Sequence, residues 1–75
     1  MHHSTYYIST NELASLFRSR GIDCAKNSRE LIAELRKLFQ CVIPMKTLVL
    51  AACFAGYAVV PQNEGQTFMF CRVSQ

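Results

Sequence analysis

Apolar residues recur at helical spacing three times along the chain, and the pattern then switches to the alternation of strands. Leu13, Leu16 and Phe17 share one face of a first helix. Ser9 and Glu12 form a capping box at its start: the hydroxyl accepts an early helix N–H, and the carboxylate reaches back to the cap. Thr10 and Asn11 are alternative caps. Arg18 and Arg20 fall in the last turn, where the helix dipole favours cations. Gly21 suits the left-handed position that ends a helix, and Ile22 then folds back on Phe17. Asp23 to Lys26 make a short loop. Asn27 and Glu30 give a second capping signal, and Leu31, Ile32, Leu35, Leu38 and Phe39 form the stripe of a second helix. That helix stops before Pro44, because the residue ahead of a proline avoids the α region. Val42 and Ile43, in the turn, point inward.

Pro44 suits the first position of a third helix, from about Met45 to Ala55. Leu48, Ala51, Ala52 and Ala55 make one stripe on it, and Leu50 and Phe54 another. A helix apolar nearly all round is expected to be the most buried of the three. Gly56 ends it. Tyr57 to Gln62 and Thr67 to Val73 read as strands from their β-branched and aromatic content. Asn63-Glu64-Gly65 is the turn between them, with the glycine where φ must be positive. Pro61 is expected to end the pairing of the first strand and to mark an edge. Phe68, Phe70 and Arg72 point one way; Thr67, Met69, Cys71 and Val73 point the other. With both faces largely apolar, the hairpin is expected to be held against the helices. The pattern therefore predicts an α+β domain over residues 9–75, with three helices followed by a C-terminal β-hairpin. Residues 1–8 are read as a flexible lead, in which Tyr6 to Ile8 form an extended piece at the edge of a sheet.

At 75 residues the chain is one small domain with a core that is marginal for its size. Half of the residues are hydrophobic, so the core closes without staples and leaves apolar surface for a partner. Eight Lys and Arg against five Asp and Glu give a formal charge of +3, which permits nucleic-acid binding without demanding it and argues against a DNA mimic. Cys24, Cys41, Cys53 and Cys71 have neither CxxC spacing nor a nearby histidine. They read as reduced, small core residues of a cytoplasmic protein, with metal binding or disulfide pairing as the alternative. The start of the chain has no apolar leader segment, and the longest apolar run, Leu48 to Val60, is too short for a bilayer. Met1-His2-His3 is either a frayed terminus or a square-planar Cu(II) or Ni(II) chelate.

No catalytic set emerges. A Gly-rich phosphate loop, a His-Glu zinc helix and a Ser-His-acid grouping are all missing from the sequence, and both histidines stand at its start. The sequence points away from an enzyme and implies no cofactor and no small-molecule substrate.

Helix, helix, turn, helix, hairpin is an order that resembles winged helix-turn-helix DNA-binding domains. The likeness runs from about Ser9 to Val73. It rests on Arg29 to Phe39 for the helix before the turn, Met45 to Ala55 for the recognition helix, AGYAVV for the step into the wing and TFMFCRV for the return strand. It implies a small DNA-binding regulatory or accessory protein of bacterial or phage type. The first turn of the third helix, Met45, Lys46 and Thr47, would then face the major groove of double-stranded DNA. The wing tip, Gln62, Asn63 and Gln66, would lie on the sugar-phosphate backbone. Lys26, Asn27, Ser28 and Arg29 would clamp phosphates at the start of the second helix, with Arg72 as the one basic residue of the hairpin.

The sequence also departs from that pattern. After Thr47 the third helix carries only Leu, Val, Ala, Cys and Phe, and the wing tip has Glu64 and no cation. A second reading is therefore a protein-interaction module or inhibitor that uses an apolar surface at Val49 and Phe54, a homodimer being compatible with it. The alternative for those two residues is plain core, and for the charges of the second helix a solvated face. Two signatures separate the readings. DNA binding requires a basic face joining Arg29, Lys46 and the wing; protein binding requires an exposed apolar patch on the third helix or the hairpin, larger than about a few hundred Å².

Overall fold

A computed structural model describes residues 6–73. The Met1-His2-His3 terminus lies outside the described residues. Three helices, α1 (Thr10–Arg20), α2 (Ser28–Phe39) and α3 (Met45–Phe54), precede an antiparallel hairpin of β1 (Tyr57–Gln62) and β2 (Thr67–Arg72). The fold is α+β, in the expected order.

Local chemistry accounts for the helix boundaries. Both capping boxes form. Ser9 Oγ accepts from Glu12 N at 3.1 Å while Glu12 accepts from Ser9 N, and Asn27 and Glu30 do the same at 3.0 Å in each direction. Each box satisfies two backbone donors that a helix start leaves open. Gln40, a residue that gave no stop signal in the sequence, ends α2 in the left-handed region with its N–H on Arg36 O. Pro44 is the cap of α3 rather than its first residue and contributes no side-chain bond. With no acid in the first turn and no cation in the last, α3 has little to hold it alone. Arg18 of α1 supplies the missing cation, donating to Phe54 O at 3.1 Å.

Gly21 has a positive φ of 82°, but its ψ is 174°, an extended value rather than the left-handed turn expected. Only glycine adopts that region freely. A Cβ there would meet the Tyr57 hydroxyl at 3.5 Å, an ordinary contact. Gly21→Ala should therefore cost about 1–3 kcal/mol through the backbone alone. A urea titration checks this, and an unchanged midpoint would show that the turn relaxes freely.

The core gathers one face of each element. Leu13, Ala14 and Phe17 of α1, Leu31 of α2, Leu48, Ala51 and Ala52 of α3, and Tyr57 and Phe70 of the hairpin are buried in one cluster. The small alanines let α1 lie along α3, while β1 packs on α3 and β2 on α2. Residues 6–8 join this body, although the pattern placed them in a flexible lead. Ile8 is buried, Tyr7 bridges Val42 in parallel, and Val42 N donates to Tyr6 O at 2.7 Å. Their partner is the turn before α3, not the hairpin.

One further expectation is corrected. Strand pairing does not stop at Pro61, which stands opposite Phe68, with Gln62 opposite Thr67 beyond it. The Phe68 N–H points away from β1, to Ser28 Oγ, so this is a pair that exchanges no ladder bonds. The missing N–H of proline therefore costs the sheet nothing. The hairpin is held against the helices, as expected: Tyr57 and Phe70 of one face are in the core, while on the other Thr67 is buried and Met69 half-buried but Ala58, Val60 and Cys71 are exposed. As expected, α3 is the most buried of the three helices, though its outer face stays open. Leu50 is 38% exposed and Phe54 56%, because α1, α2 and β1 cover one side of the helix and no element covers the other.

Candidate interaction surface

The residues expected to hold phosphates are largely occupied. Lys26 is ion-paired with Glu34, and the hydrogen bond to that carboxylate raises the lysine pKa. Asn27 spends its side-chain oxygen on the cap of α2. Ser28 is fully buried, with its hydroxyl accepting the Phe68 N–H at 2.9 Å. It faces the hairpin rather than solvent, so it is corrected to a structural residue. Arg29 alone of the four is exposed without an ion pair among the described residues.

At the start of α3, Met45 packs against the core and Thr47 is half-buried, which leaves Lys46 as the exposed side chain. In the hairpin turn, Gln62, Asn63 and Gln66 are exposed, as expected of a tip. The turn is tighter than the sequence suggested. Asn63, Glu64 and Gly65 all have positive φ, and Asn63 Nδ2 donates to Thr67 Oγ1 at 3.3 Å. Arg72 lies over the Tyr57 ring, 6.0 Å from its centroid, so it is braced against the fold. Arg29, Lys46, Arg72 and the turn stand on four different elements, and the turn carries a carboxylate, Glu64, in place of a cation.

Exposed apolar side chains do occur on α3. Lys46, Leu50 and Phe54 follow one another at i, i+4, i+8 along the outer face of α3, with Cys53 exposed beside them. Phe54, one of the two residues proposed as an interface, is more than half exposed; Val49, the other, is half-buried at the margin. Leu50 belongs to this surface and was grouped in sequence with Phe54 as a second stripe. The periodicity marked the stripe, but which side the fold would leave open depends on how α1 and β1 pack.

A second apolar surface lies between α1 and α2. The stripe of α2 is buried at Leu31, half-buried at Leu35, and open at its end, where Leu38 is 63% exposed and Phe39 36%. Arg20 of α1 sits 5.8 Å from the centroid of the Phe39 ring. The Tyr6 hydroxyl donates to Glu12, which holds that carboxyl below the usual glutamate range and pushes the phenol up.

All four cysteines are free; Cys41 is buried, but Cys53 and Cys71 are exposed rather than core residues. Among the described residues no group of three His, Cys, Asp or Glu side chains is placed to hold a metal ion, and no helix is long and apolar enough to cross a membrane. No family model matches the chain, and no curated protein or solved structure matches it either.

Proposed function

We propose that the chain is a small protein-interaction module that presents the outer face of α3 to a protein partner. The observation that carries this reading is the exposure of Leu50 and Phe54 in a row behind Lys46. Exposed aromatic side chains anchor protein interfaces, and Lys46 and the Arg18 bound to Phe54 O frame this one with a charged rim. A base-reading helix needs polar side chains along the same face. The pairing of Lys26 and the burial of Ser28 support the same choice, since both remove phosphate contacts from the start of α2.

The test is a comparison of the wild-type chain with a Leu50→Ser/Phe54→Ser double variant, both immobilised in lysate. A labelled random-sequence duplex is titrated in parallel at two salt concentrations. The proposal predicts a captured protein that the double variant loses while keeping its helical circular dichroism. Equal capture by the two chains overturns it. So does salt-sensitive duplex binding that Lys46→Ala weakens, which would return the function to the groove-docking face.

A further inference from the structure

We propose that two copies of this chain associate through the groove between α1 and α2. This goes beyond the α3 reading and uses a different surface. The groove consists of two adjoining clefts. One, of about 250 Å³, has Phe17 and Leu31 in its lining, with Leu16, Leu35 and Leu38 beside them. The other, of about 430 Å³, extends it to Tyr6 and Ile8. Leu16 and Phe39 line both clefts, so the apolar surface is continuous. No residue of α3 or of the hairpin lines either one, so an occupant leaves the Leu50–Phe54 face open.

The helix pattern explains why the groove exists. Leu31, Leu35 and Leu38 continue a stripe over the whole length of α2, but the chain's own elements cover only its first half. An amphipathic helix with its last turn uncovered is a half-built helix pair. A second α1–α2 pair, laid across it by a two-fold axis, would complete a four-helix arrangement in which each Leu38 is buried by the other copy.

Charge distinguishes a second copy from an unrelated occupant. Arg20, over Phe39, has no ion pair among the described residues, while Glu12, Asp23 and Glu34 stand along the same groove. A rim carrying both signs complements itself across a two-fold axis, which sets the Arg20 of each copy toward a carboxylate of the other. The rest of the chain is different. Once Arg20, the Lys26 bonded to Glu34, and those three carboxylates are set aside, six cations remain against two carboxylates. The groove thus carries both signs, whereas the charge outside it is mostly cationic.

The size sets the strength. The two clefts are lined by eleven and six residues, two of them shared. A standard interface takes about 20–30 residues from each side. The pairing is therefore at the small end, and a dissociation constant in the micromolar range is expected.

Sedimentation equilibrium of the full chain from about 1 to about 300 µM spans that range. The expected mass rises from the 8.5 kDa of one chain toward twice that value. Leu38→Lys should stay monomeric throughout with unchanged circular dichroism, since an exposed leucine contributes little to the single fold. Arg20→Glu should weaken association about tenfold, because the two-fold axis makes the Arg20 contact twice and both are lost. Phe54→Ser should dimerise as the wild type does, even if it loses a protein partner. A wild-type chain monomeric at the highest concentration overturns the proposal, as does a Leu38→Lys variant that still dimerises. Loss of the dimer in Phe54→Ser also overturns it, by moving the interface to α3.

Discussion

Phe70→Ala should remove a large share of the domain's stability. Phe70 is 1% exposed on β2 and sits in the same buried cluster as Leu13, Phe17, Leu31 and Leu48. Truncating a fully buried phenylalanine costs about 3–5 kcal/mol, from lost transfer free energy and the cavity left behind. A chain of this length has a total stability on the order of 4–11 kcal/mol. The loss is thus about a quarter of the whole or more, and the urea midpoint should fall by at least that share. Leu38→Ala, on the open end of α2, is the matching control: at 63% exposure it should change stability by less than about 0.5 kcal/mol. Near-wild-type stability in Phe70→Ala would mean that the hairpin is an appendage and not a wall of the core.

Ser28→Ala should be the most damaging change at any residue that looks like surface in the sequence. Its hydroxyl is the acceptor for the Phe68 N–H, and the residue is fully buried between the first turn of α2 and β2. Alanine removes one atom and leaves that donor without a partner, which costs about 1–3 kcal/mol. Hydrogen exchange reads the effect locally as well as globally. Protection of the Phe68 amide should fall by about tenfold for each 1.4 kcal/mol lost. Unchanged exchange at Phe68 would show that water replaces the serine at no cost.

These two residues show where the sequence was legible. Strand alternation set Phe70 on one face with Phe68 and Arg72, but with both faces largely apolar it did not say which would meet the helices. The capping boxes at Ser9 and Asn27 were fully legible, since a cap and its partner lie three residues apart and involve no other element. Ser28 was not legible. It follows a helix cap and precedes Arg29, so locally it reads as an anion-binding residue; its partner lies forty residues away. The Tyr57 hydroxyl accepting from Ile22 N and the Arg18 guanidinium on Phe54 O are of the same kind, bonds across 35 and 36 residues with no periodic signature.

The candidate surfaces divide along the same line. Leu50 and Phe54 were visible as a stripe and Leu38 as part of one, because periodicity depends only on the helix. Whether a stripe is covered depends on how far the neighbouring elements reach. The packed body leaves the far side of α3 and the end of α2 open, and neither limit is written in the order of residues along those helices. A helix apolar nearly all round is thus the most buried of the three, yet its outer face stays open.

What touches the outer face of α3 decides between a protein partner and nucleic acid. A photo-reactive benzoylphenylalanine placed at position 54, irradiated in cells that make the chain, reports this directly. The expected product is a protein adduct that resists nuclease, with a mass different from that of two copies of this chain, and that fades when Leu50 is also changed to serine. An adduct destroyed by nuclease would contradict the protein-partner reading and place nucleic acid on this helix.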